Sequence, residues 1–94
     1  MLVKILNKDK SKRESTKMIG EKLKASGYDW IPNASSWQKI INDRKQFNIS
    51  ILQRESWSES ADGVEVRIHD EDETQLAKYF LNDGKWETEL DIIS

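Results

Sequence analysis

A chain of 94 residues buries on the order of 60% of the surface that its unfolded form exposes, which is enough for one core and a single domain over residues 1–94. It contains no cysteine, so a disulfide framework, a thiolate metal site and a cysteine nucleophile are all excluded. The net charge is only −2, yet residues 1–50 carry 11 Lys or Arg against 5 Asp or Glu, net +6, and residues 51–94 carry 4 against 12, net −8. That division predicts a large dipole able to orient a partner during encounter.

Chain order begins with Leu2–Leu6, an apolar run suited to a strand and too short for a signal peptide. Nothing later approaches the roughly 18 apolar residues of a membrane span, and the expected location is cytoplasmic. Asn7 to Lys10 reads as a polar turn. Ser11-Lys12-Arg13-Glu14 is a capping box that predicts a helix to about Ser26, stopped by Gly27. Tyr28 to Asn33 reads as a connector, because Pro32 fixes its own φ and pushes Ile31 toward extended geometry. A second capping box, Ser35-Ser36-Trp37-Gln38, predicts a short helix to about Lys45 with Trp37, Ile40 and Ile41 on one face.

Phe47 to Ile51 alternates strictly, as does Val64 to His69 after the turn signal Asp62-Gly63. Together they predict a long hairpin with Arg54 to Ala61 as an exposed arm. Asp70 to Glu73 then opens a helix with Leu76, Ala77, Phe80 and Leu81 on one face and Gly84 as its stop. A last strand, Trp86 to Ile93, sets Trp86, Thr88, Leu90 and Ile92 against Glu87, Glu89 and Asp91. Asn33-Ala34-Ser35 and Asn48-Ile49-Ser50 match the glycosylation acceptor pattern but carry no weight without a secretory signal.

This order predicts an α+β fold of the ferredoxin-like, split β-α-β kind, with four mainly antiparallel strands and the two main helices on one face. Another α+β sandwich with a different strand order is the competing architecture. In the first plan the uncovered face presents Asn48, Ser50, Glu65, Arg67, His69, Glu87, Glu89 and Asp91 to water as an acidic surface.

No Gly-rich phosphate loop, HExxH or EF-hand loop is present. His69 with Asp70 to Glu73 has donor types for a hard metal or acid and base work, but carboxylates at a helix start are what the macrodipole favours. No cofactor or metal is expected. Trp57, in the polar arm Glu55 to Glu59, together with Tyr28 and Trp30 in the connector, are candidate partner anchors. Trp37 and Trp86 fall in phase with buried positions. The leading expectation is a small non-catalytic module, an inhibitor or regulator, that binds a protein through Trp57, Tyr28, Trp30 and the acidic face of Glu65, Arg67, Glu87 and Glu89. Such a face also suits imitation of nucleic acid. Two alternatives stand beside it: a nucleic-acid binder using the basic first helix through Lys10, Lys12, Arg13, Lys17 and Lys24, and a carboxylate-based enzyme. A monomer, or a homodimer through the edge of the expected hairpin, completes the expectations.

Overall fold

A computed structural model describes residues 1–7, 14–42 and 48–92, and its centre is a six-stranded antiparallel sheet. The strands are β1 (Leu2–Asn7), β2 (Asp29–Ile31), β3 (Ser36–Ile40), β4 (Val64–His69), β5 (Gln75–Asn82) and β6 (Lys85–Asp91). They lie in the order β2-β3-β1-β4-β5-β6. The described residues also form three short helices, α1 (Glu14–Met18), α2 (Gly20–Ala25) and α3 (Ile49–Gln53), and 3-10 turns at Pro32–Ala34 and Ser56–Glu59. The ferredoxin-like plan is therefore overturned, since it requires four strands and two long helices.

The largest departure is over residues 70–81, where a helix was expected. The segment Gln75 to Asn82 fits both periods, but its alternation places Ala77, Tyr79 and Leu81 opposite Ile68, Val66 and Val64 of β4. What decides between them is the turn beyond. Asp83 and Gly84 hold φ of 52° and 78°, both positive as a two-residue type I′ hairpin requires. Gly84 closes a hairpin instead of stopping a helix. Asp70 does not cap a helix either: its Oδ1 accepts from the amides of Asp72 and Thr74, each at 2.9 Å, and ties the β4–β5 turn.

The second departure exchanges helix and strand between residues 35 and 53. Ser35 takes φ 47° after the Pro32–Ala34 turn, so the chain doubles back and β3 pairs with β2. Asn48, at the end of the expected strand, instead caps α3, its Oδ1 accepting from the Ser50 amide at 2.9 Å. Local capping outweighs the weak alternation of Ile49 and Ile51. With that strand gone the long hairpin does not exist, and β4 is an interior strand between β1 and β5, so no edge is left there for a second copy to pair with.

The expected first helix is present in two pieces that break at Ile19, and it stops where its glycine predicted. Gly27 has φ +96°, the Tyr28 amide donates to Leu23 O at 3.0 Å, and the Gly27 amide donates to Lys24 O at 3.1 Å. This is a Schellman cap, with buried Leu23 and Tyr28 supplying its apolar contact.

One face of the sheet carries the core. Val3, Ile5, Val64, Val66, Ile68, Ala77, Tyr79 and Leu81 point there, and Ile19, Leu23, Leu52 and Trp57 of the helical segments cover them. The arm from Arg54 to Ala61 folds back onto this face, and Trp57 is 0% exposed. Its ring meets Tyr28 edge-on at 6.2 Å and Trp86 at 6.0 Å, while Trp86 meets Tyr79 at 6.0 Å. The Trp57 indole N–H donates to Glu55 Oε2, and Lys39 Nζ lies 3.3 Å from Glu55 Oε1. A buried tryptophan with its N–H partnered is a core filler.

Candidate binding cleft

The opposite face of the sheet is mixed in charge, contrary to the acidic surface expected. Register places Leu6, Glu65, Phe80 and Glu87 in one cross-strand row and Lys4, Arg67, Lys78 and Leu90 in the next. Glu65, Arg67 and Glu87 do share this face, but three cations are interleaved with the carboxylates. Glu65 is only 5% exposed, paired with Arg67 and, at 3.5 Å, with Lys78 Nζ, which also meets Glu89 at 2.9 Å. The bond to Glu89 is the main reason that Lys78 holds its proton more tightly than usual, with burial opposing it. The charges on this face largely answer one another.

A concave site lies at the other end of the sheet, on the core side. The β2–β3 hairpin brings Trp30 directly opposite Trp37, their ring centroids 5.6 Å apart and tilted by 57°. Gly20, the first residue of α2, abuts the Trp37 ring, where a Cβ would stand 3.1 Å from Cζ2. Any larger residue here would press on the ring, which would have to shift by a few tenths of an ångström. Trp37 is thus wedged, while Trp30 remains 43% exposed. Leu6 and Asn7 at the end of β1 form the opposing wall, and Asn7 Oδ1 accepts the Thr16 amide at 2.9 Å, which ties α1 to the strand end. The cleft has a volume of about 810 Å³, with Ala34, Asn33, Ser35, Thr16 and Lys17 also lining it.

That size falls in the range of ordinary ligand pockets, about 300–1,000 Å³. The described wall contains no carboxylate and no imidazole, and Lys17 is its one charged side chain. Its chemistry is stacking, apolar contact, amide and hydroxyl hydrogen bonding, and a single positive charge. Among the described residues, no group of three or more His, Asp and Glu side chains could hold a metal, and no helix is long and apolar enough to cross a membrane.

No protein-family model, curated protein or solved structure matches this chain. Its function is therefore argued from geometry.

The residues singled out from sequence are dispersed. Trp57 and Tyr28, at 0% and 1% exposure, are core residues and offer no surface to a partner. Trp30 lines the cleft. Glu65, Arg67, Glu87 and Glu89 belong to the ion-paired sheet face, away from it. Of the nucleic-acid candidates, Lys10, Lys12 and Arg13 lie outside the described residues, Lys24 is exposed on α2, and Lys17 lines the cleft beside Trp30. The site therefore unites one residue from each of two rival expectations. Asn7, Thr16, Asn33 and Ser35 were not foreseen. A usable signal exists in Asp29-Trp30-Ile31 and Ser36-Trp37-Gln38-Lys39-Ile40, two alternating runs around a Pro-Asn-Ala-Ser turn, which together describe a hairpin.

Proposed function

We propose that this chain is a small non-catalytic binding module for a protein partner, and that the Trp30–Trp37 cleft is its contact surface. The observation supporting this reading is Trp30, a large ring left 43% exposed yet held in place by a second tryptophan at the mouth of a concave wall. Aromatic anchors seated in or beside pockets supply most of the energy of protein interfaces. The zero cysteine count supports a cytoplasmic setting.

The test is affinity purification from the native cell with the wild-type chain, Trp30→Ala and the surface control Lys24→Ala. Partners retained by wild type and Lys24→Ala but lost by a normally folded Trp30→Ala support the reading, and partners kept by all three overturn it. Nucleic-acid binding is the second reading, favoured by Lys17 lining the same cleft as an exposed aromatic ring, since strand binders pair stacking rings with cations. A gel shift at two salt concentrations decides it, because phosphate contacts weaken steeply with salt. No shift at low salt ends it.

A further inference from the structure

The two edges of the sheet are protected differently. Edge strand β6 carries exposed Lys85, Glu87 and Glu89 and a bulge opposite Lys78/Tyr79, all devices that discourage pairing with another chain. Edge strand β2 is three residues long and has one exposed charge, Asp29, and the Pro32 that follows it. Its outer side has no neighbouring strand, and it opens beside the cleft that Trp30 and Trp37 line.

Taken with the reading above, on which this inference rests, we propose that the occupant of the cleft is an extended acidic peptide segment that adds as a further strand to the free edge of β2. Strand addition supplies main-chain hydrogen bonds, and pockets for alternate side chains supply specificity. In an extended chain, residues i and i+2 project to the same side about 7 Å apart. One such residue, aromatic or long aliphatic, packs on Trp30. The other is Asp or Glu and meets Lys17, the one charge on the described wall. A peptide fits better than a nucleic-acid strand. The described wall has one cation, whereas polyanion affinity grows with the number of phosphates neutralised, and Ala34 and the two indoles supply its apolar surface.

The experiment is selection of a displayed random decapeptide library on the immobilised full chain, on Trp30→Ala and on Lys17→Glu, with a short oligothymidylate as a parallel probe. Circular dichroism verifies that both variants fold. Wild type is expected to enrich peptides with an aromatic or aliphatic residue two positions from Asp or Glu. Trp30→Ala should bind the consensus peptide at least about tenfold more weakly, and Lys17→Glu should exchange the acidic preference for Lys or Arg. N-methylation of alternate peptide amides should abolish binding in one phase of the alternation and spare it in the other, which is the signature of a strand. Enrichment without acidic residues, an unchanged preference in Lys17→Glu, or indifference to N-methylation in both phases overturns the inference. So does oligothymidylate binding without any peptide enrichment. If the library yields nothing while Trp30→Ala still loses its cellular partner, this inference fails and the broader reading stands; if that partner is kept, both fail.

Discussion

The four tryptophans divide into two pairs that stand at different places on the same sheet. Trp57 and Trp86, 6.0 Å apart, join Tyr28 and Tyr79 in an aromatic chain across the core, whereas Trp30 and Trp37, 5.6 Å apart, line an open cleft. Residue type does not separate them; what their rings face does. In the first pair Trp57 is fully buried on the covered side of the sheet and Trp86 packs, partly buried, against the same core. The second lies where the covering helices end and the sheet narrows to a three-residue strand. The same side chain is a packing element in one place and a contact element in the other, so a substitution should read out as stability in the first and as binding in the second.

The strongest way to break this comparison is Trp57→Ala. Removing a fully buried aromatic costs about 3–5 kcal/mol, a large part of the roughly 5–15 kcal/mol that holds a small domain folded. It also leaves the Glu55 carboxylate without the indole N–H that it accepts. Trp30→Ala should cost about 1 kcal/mol or less. Chemical denaturation of both variants checks this, and equal losses would show that the two pairs have one role.

How much of this could be read from the chain depended on how local each decision was. Val3 and Ile5 in β1, Val64, Val66 and Ile68 in β4 and the glycine stop at Gly27 were legible, because period-two burial and a left-handed glycine are written in adjacent residues; the final strand was legible as a strand, but its bulge turns Leu90 to the face opposite Trp86 and Thr88. Residues 75–82 were not, because Leu76, Ala77, Phe80 and Leu81 satisfy a helical face as well as Ala77, Tyr79 and Leu81 satisfy a strand. The deciding information lay outside the run, in Asp83-Gly84. The exchange at residues 35–53 has the same origin: Ser35 offers a cap in one context and a left-handed turn residue in another, and Asn48 outcompetes a weak alternation. Misplacing those segments moved the arm of Trp57 into solvent and hid the hairpin that presents Trp30. The cleft was illegible because Leu6, Thr16, Asn33 and Trp37 meet only through tertiary packing.

A second, smaller test uses the protein's two tyrosines, both on the core side. Burial first, and then the Glu55 carboxylate, pushes the Tyr28 phenol far above its usual range, and burial with Asp91 beside it does the same for Tyr79. In the unfolded chain both ionise near pH 10. Their folded-state values are raised, so the stability they support is complete below about pH 10 and is lost as pH rises further. A spectrophotometric titration should show no tyrosinate at the ordinary pKa, then both phenols ionising together as the fold is lost. Tyr28→Phe should leave a single late-ionising group. One tyrosine titrating normally in the folded protein would place its ring in water and open the aromatic chain that separates the two tryptophan pairs.

The smallest expected effect belongs to Gly20→Ala, which acts on the cleft pair. Alanine favours the helix by up to about 1 kcal/mol, but its Cβ would stand 3.1 Å from Trp37 Cζ2, and crowding a packed ring costs about 1–3 kcal/mol. The net expectation is a loss of about 1 kcal/mol in denaturation, with a change in the near-ultraviolet dichroism of the Trp30–Trp37 pair. The same substitution made with Trp37→Phe should be nearly neutral or stabilising, because the smaller ring leaves room for the methyl group. A double-mutant cycle therefore isolates the contact. Additive losses would mean that Gly20 is held by backbone geometry and not by the approach to Trp37, and the wedge that presents Trp30 would have to be sought in β2 and β3 themselves.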